Sequence, residues 1–199
     1  MIYYEIEIVQ MPEIMYFTLR YFILKNVTLG KIFKMKKILV LLLAVISFSC
    51  SQAQKTTFSK EALSETLLSE NGKQVAFKDI LKNHKGKTLV IEVWASWCGD
   101  CVKAMPKVKE LQANNPEVDY VFISMDKTAD KWKEGIAKHE IKGEHFMAND
   151  QMKGVFGKAI DLDWIPRYII IDKTGKIVIY RAIETDFEKI NTTLKEVRS

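Results

Sequence analysis

The sequence predicts an α/β domain, a central mixed β-sheet flanked by helices, and three observations carry that reading. Thr88 to Trp94 (TLVIEVW) is a continuous β-branched and apolar run, the pattern of a strand buried on both faces in the middle of a sheet. From Asp100 to Gln112 the apolar residues Val102, Met105, Val108 and Leu111 recur at three-residue steps, which predicts an amphipathic helix packed on that sheet. Further on, Arg167 to Asp172 and Lys176 to Tyr180 flank Lys173-Thr174-Gly175, an antiparallel pair joined by a tight turn. At 199 residues with 48% hydrophobic and 28% charged side chains, the chain has length for one well-packed domain.

Taken in order, the first elements lie near Leu67. Asn71-Gly72, between Leu67-Leu68 and Val75-Ala76-Phe77, predicts an N-terminal β-hairpin with a type I′ turn. Asp79 to Asn83 makes a short helical turn before the central strand. In the helix that follows, Pro106 removes one backbone N–H, so a kink is expected there. Asp119 to Ser124 (DYVFIS) is the next strand, and Thr128 caps a helix carrying Trp132 and Ile136 on one face. Gly143 to Asp163 reads as an insertion with one short helix, anchored by Phe146, Phe156 and Ile160. Phe187, Ile190, Leu194 and Val197 form a closing helix.

The first third of the chain has a different character. Met35-Lys36-Lys37, the apolar run Ile38 to Phe48 and then Ser49-Cys50-Ser51-Gln52-Ala53 have the layout of an export signal. The run is shorter than the about 20 apolar residues a membrane-spanning helix needs. Residues 1–34 are expected to be an extension outside the working protein, with translation starting at Met35. Residues 35–49 are then the signal peptide, 50–65 a polar tether and 66–199 the folded domain. Cys50 sits where a bacterial lipoprotein signal places the cysteine that is acylated. Ser47 and Phe48 depart from the usual residues upstream, and a cut after Ala53 is the competing reading. A lipid anchor would hold the protein on a membrane; either cut places it in the extracytoplasmic cell envelope. Removing residues 1–49 takes away six basic and three acidic residues, leaving 24 against 22. That near balance argues against a nucleic-acid surface.

The chemistry concentrates in Trp94-Ala95-Ser96-Trp97-Cys98-Gly99-Asp100-Cys101 (WASWCGDC). A thiol is a nucleophile only as its thiolate, and a helix N-terminus supplies partial positive charge and free N–H groups where Cys98 sits. Cys101, one turn inside the helix, can close the disulfide. Cys98 is thus the attacking sulfur and Cys101 the resolving one. A four-residue ring gains little loop entropy, so a purely structural disulfide is a poor use of this spacing.

These residues resemble the thioredoxin-fold thiol–disulfide oxidoreductases of the TlpA/ResA-like group. The match covers about residues 66 to 199: Trp94-Ala95-x-Trp97-Cys98-x-x-Cys101, Pro106, Ile165-Pro166 before a strand, and Ile171-Asp172-Lys173-x-Gly175-Lys176. The resemblance implies a thioredoxin-like fold, a cis Ile165–Pro166 bond packed against Cys98, and protein disulfides as substrates. It also implies re-reduction by a membrane thiol electron donor. Glu92 interrupts the central strand two residues before Trp94 and matches the family's buried carboxyl, which implies proton exchange with Cys101; burial would raise its pKa. Trp97 and Trp164, with Ile165 and Pro166, are expected to wall the substrate groove. Gly99 and Asp100 occupy the redox-tuning positions between the cysteines. Asp100 replaces the usual proline, and its charge opposes the Cys98 thiolate, which favours a reducing protein. Arg167 is expected to be a solvated strand residue, with stabilisation of a thiolate or pairing with Asp100 as the alternative.

No bound cofactor is needed for dithiol chemistry. A zinc site on the cysteine pair would need two more ligands, and the three histidines, His84, His139 and His145, are distant in sequence. His139 and His145 read as surface residues. Copper delivery on the same fold typically wants wider cysteine spacing with a partner histidine. A peroxiredoxin-like peroxidase would place a threonine, in place of Trp97, near its cysteine.

Overall fold

The computed structural model describes residues 54–198 and, separately, Tyr21, and folded structure starts ahead of residue 66. Ser59 Oγ accepts the Ala62 N–H at 3.2 Å and caps a short helix, α1 (Lys60–Ser64), whose Ala62 is fully buried. Phe58 sets its ring against Phe77 at 4.9 Å. Earlier still, the Thr56 carbonyl accepts the Ile177 N–H at 2.9 Å, the Gln54 side chain donates to the Val178 carbonyl at 2.6 Å, and Lys55 pairs with Asp161. The expected tether over 50–65 is therefore ordered chain from Gln54 onward. Its polar composition concealed that its backbone and side-chain ends have partners about a hundred residues away. The expected signal peptide, Cys50 and, but for Tyr21, the extension over 1–34 lie outside the described residues.

β1 (Thr66–Ser69) and β2 (Gln74–Ala76) form the hairpin, but its turn is not type I′. A type I′ turn needs positive φ at both central residues, and Gly72 has it (φ 81) while Asn71 does not. Gly72 N–H donates to the Ser69 carbonyl and Ser69 N–H to the Lys73 carbonyl, both at 2.9 Å, closing a longer loop over 70–72. Asn71 acts through its side chain instead: Oδ1 accepts from Ser69 Oγ at 2.6 Å and from the Lys73 N–H at 3.3 Å. α2 (Phe77–Asn83) is longer than the expected turn and buries Phe77 and Ile80.

β3 (Leu89–Trp94) is buried along its whole length. It runs parallel to β4 (Asp119–Ser124) and antiparallel to β6 (Arg167–Ile171), as its uninterrupted apolar pattern demands. The sheet continues through β5 (Glu144–Ala148) on one side and β7 (Ile177–Ala182) on the other, in the order β2-β1-β5-β4-β3-β6-β7. β5 falls where only a short helix was expected. Its sequence Glu-His-Phe-Met-Ala has no β-branched residue, so local propensity is silent and pairing with β4 and β1 decides its conformation. The expected helix follows as α5 (Val155–Ala159), burying Phe156.

The long helix α3 (Gly99–Asn114) buries Cys101, Ala104, Met105, Val108 and Leu111. Val102 is only half-buried, because strict three-residue steps drift off a 3.6-residue period. Pro106 lies inside α3 and the helix continues past it. α4 (Ala129–His139) is capped by Thr128, whose Oγ1 accepts the Lys131 N–H at 3.4 Å. Gly135 brings α4 against the chain after β3: a Cβ there would stand 2.7 Å from Ser96 Cβ and 3.1 Å from the Trp94 ring. α6 (Phe187–Arg198) closes the domain with Phe187, Ile190 and Leu194 buried. Trp94, Trp132, Phe122 and Tyr168 are among the largest fully buried side chains; burying a large apolar side chain contributes about 1.5–3 kcal/mol.

Candidate active site

β3 ends at Trp94, and the chain passes through Ala95-Ser96-Trp97 before entering α3 at Cys98. Cys98 is the N-cap: its Sγ accepts the Cys101 N–H at 3.1 Å and its carbonyl accepts the Val102 N–H at 3.1 Å. Cys98 and Cys101 are joined in a disulfide with their Cα atoms 5.3 Å apart. Cys98 is 6% exposed and Cys101 fully buried, so of the two cysteines only Cys98 has surface open to solvent. On opening of the disulfide, the free N–H groups and partial positive charge of the α3 N-terminus face Cys98 Sγ.

The Ile165–Pro166 bond is cis, as the resemblance implied, and the Ile165 carbonyl oxygen lies 3.6 Å from Cys98 Sγ. Pro166 offers no N–H at this point, so nothing from its backbone competes for the sulfur. Trp97 and Trp164 are 58% and 51% exposed. They adjoin Cys98 and Ile165 in the chain, and both present large apolar surface to solvent. Gly99 and Asp100 form the first turn of α3, where Asp100 pairs with Lys103 at 3.5 Å.

Glu92 stands in β3 opposite Tyr168 of β6 and is 1% exposed. The Tyr168 hydroxyl donates to Oε1 at 3.3 Å, while Oε2 is sealed from solvent without a partner. Burial pushes the Glu92 pKa up to about 8, against a smaller downward pull from the Tyr168 hydrogen bond. A carboxyl titrating there is suited to exchange a proton near neutral pH.

A second buried carboxylate was not legible in the sequence. Asp126, just past β4, accepts the Ser96 N–H at 3.0 Å and the Ser124 hydroxyl at 2.8 Å on Oδ2, and the Ser96 hydroxyl at 2.7 Å on Oδ1. Its own N–H donates to Ser124 Oγ at 2.9 Å. Asp126 thereby pins the residue next to Trp97, and Gly135 packs against the same serine from α4. The only local signal was a serine inside the cysteine motif; its partner is 30 residues away.

Two readings require correction. Arg167 is 1% exposed, not solvated, and does not pair with Asp100. Its guanidinium bonds the Asp163 carboxylate and donates to the Asp161 carbonyl at 3.5 Å, and Arg181 holds the other Asp163 oxygen at 3.0 Å. The turn through Ile165–Pro166 brings Asp163 back over the start of β6, so the arginine finds its partner within its own loop. His145 is buried, not at the surface: it stacks on Phe122 at 5.2 Å, bonds the Ile141 carbonyl at 3.1 Å, and burial lowers its pKa. His84 is buried against Asp119, with Nδ1 2.7 Å from Oδ2, and His139 is half-buried. Among the described residues, no group of three or more His, Cys, Asp or Glu side chains is placed to hold a metal ion.

Comparison with known proteins agrees with this geometry. The Redoxin family matches residues 51–196. The thiol-disulfide oxidoreductase ResA of Bacillus thuringiensis subsp. konkukian is 26% identical over 167 residues, covering 80% of this chain and 92% of that protein. A candidate thiol-disulfide oxidoreductase from Bacteroides vulgatus, solved in solution, superposes with a TM-score of 0.57 at 31% identity, covering 69% of this chain and 88% of that one. A thiol:disulfide interchange protein of the DsbE type from Chlorobium tepidum superposes at 0.60 with 19% identity, over 73% of this chain and 99% of that one. It supports the thioredoxin-like fold alone.

Proposed function

The chain belongs to the Redoxin family and is a ResA-like thiol–disulfide oxidoreductase, and on that premise we propose that it reduces protein disulfides outside the cytoplasm with Cys98 as nucleophile. The observation that carries this reading is the position of Cys98 Sγ: at the tip of α3, 3.1 Å from the Cys101 N–H and 3.6 Å from the Ile165 carbonyl. In the reduced protein, the Cys98 thiolate attacks one sulfur of a client disulfide, forming a mixed disulfide and releasing the client's other sulfur as a thiolate. Cys101 then gives up its proton, for which Glu92 is the acceptor, and attacks Cys98 Sγ. The Cys98–Cys101 bond forms, the second client sulfur leaves, and the client has gained two electrons and, from solvent, two protons. Trp97, Trp164, Ile165 and Pro166 form the groove in which the client chain lies, with the Ile165 backbone open to a strand-like segment.

Asp100 supports the reducing direction. Negative charge near Cys98 raises the energy of the thiolate and so favours the disulfide product, and Gly99 adds no opposing charge. The resulting disulfide is reduced again by a membrane thiol donor. Localisation rests on the export pattern of residues 35–49, with Cys50 as the lipid anchor.

The test is a trap. In Cys101→Ser the mixed disulfide cannot resolve, so client proteins should accumulate on Cys98, detected as bands that collapse on adding dithiothreitol. The wild-type protein should reduce insulin, and Cys98 should alkylate at neutral pH faster than free cysteine. No trapped species, with insulin left intact, would refute the assignment.

A further inference from the structure

Beside Trp97 lies a cavity of about 660 Å³ that the steps above do not use, lined by Trp97, Lys127, Asp150, Gln151, Met152 and Lys153. Its apolar surface comes from an exposed indole and a methionine, a side chain that adapts to varied partners. Its charge comes from two lysines. Lys127 and Lys153 are both exposed, and neither has an ion-pair partner among the described residues. Asp150 shares the lining without an ion pair to either lysine, its Oδ2 accepting the Val155 N–H and its Oδ1 sealed from solvent, so the lysines outnumber the acid two to one. Lys127 follows Asp126, and Trp97 follows Ser96, so the hydrogen bonds between Asp126 and Ser96 fix two walls of the cavity relative to Cys98.

We infer that this cavity receives the residues flanking the client's disulfide and selects extended segments carrying an acidic side chain beside an apolar one. The inference rests on the disulfide-reductase reading, since it is attack by Cys98 that lays the client chain against Trp97. A carboxylate there gains two unpaired ammonium groups at the surface, and an apolar side chain covers the indole and Met152. A basic segment meets like charge.

Two peptides with the same internal disulfide, one with Glu and one with Lys beside an apolar residue next to a cysteine, test this with the reduced wild-type protein. The acidic peptide should be reduced roughly fivefold faster at low ionic strength, as two surface charge pairs allow, and the difference should shrink as salt screens it. The double variant Lys127→Gln/Lys153→Gln should level the two rates, and Lys127→Glu/Lys153→Glu should invert them. Equal rates in wild type, or a preference that persists in both variants, overturns the inference. Reduction of the small neutral 2-hydroxyethyl disulfide by wild type separates the two layers. If that disulfide is reduced while the peptides do not differ, only the cavity assignment falls; if none is reduced, the reductase reading falls with it.

Discussion

Glu92 in the middle of β3 and Asp126 beside the Cys98 loop are both buried carboxyls, and they are bonded in opposite ways. Asp126 has both oxygens engaged, by three donors from two serines. Glu92 has one oxygen held by one phenol at 3.3 Å and the other held by nothing. A buried carboxylate with a full set of donors is a fixture, because any change in its charge strands those donors. A buried carboxyl with few donors has two protonation states within reach. The difference separates the group that holds the loop in place from the group we propose as the proton acceptor, although both are acidic and both are out of solvent.

Three experiments would break or sharpen that contrast. Asp126→Ala should have the largest effect, since it strands the Ser96 N–H and two serine hydroxyls; an unsatisfied buried donor costs about 1–3 kcal/mol. A loss of roughly 3 kcal/mol or more in urea denaturation is expected, and a loss below about 1 kcal/mol would show that Asp126 is not the fixture described. Glu92→Gln should leave the fold intact and slow disulfide reduction at neutral pH by about 10²-fold, the low end for general acid–base catalysis. It should also change the pH dependence of stability. Folded Glu92 keeps its proton to about pH 8 against 4.5 for an unperturbed glutamate. The folded state therefore binds more protons than the unfolded across that window, and the stability contributed at low pH is lost as pH rises through it. The wild-type protein should lose stability relative to Glu92→Gln between about pH 5 and 8, and parallel curves would remove Glu92 from the mechanism. Asp100, a half-buried carboxylate of the same site paired with Lys103, should matter least. Asp100→Pro should raise the reduction potential by roughly 10–30 mV, and no shift toward oxidising values would refute its part in direction.

What could be read from the chain follows the same division between local and distant causes. β3 was legible because burial on both faces writes itself into consecutive residues, and Glu92 stood out against that run. The N-cap at Thr128 and the closing helix were legible because their partners lie within a few residues. β5 was not, since Glu144 to Ala148 becomes a strand through its neighbours β4 and β1. Arg167 and His145 were misplaced because a polar side chain is buried or exposed according to its partners. Those partners, Asp163 with Arg181 and Phe122, are set by the turn at Ile165–Pro166 and by the sheet order. The reactive pair was fully visible in Trp97-Cys98-Gly99-Asp100-Cys101; the carboxylate that steadies its loop, and the lysine following it, were not.

The chain ahead of α1 has one more effect. An outermost strand displays unpaired N–H and C=O groups that can template pairing with another molecule, and β7 is outermost on its side of the sheet. Thr56 occupies the Ile177 N–H and Gln54 the Val178 carbonyl, so the beginning of that border is filled from within. A strand of another molecule is thus kept from joining the sheet along the opening stretch of β7.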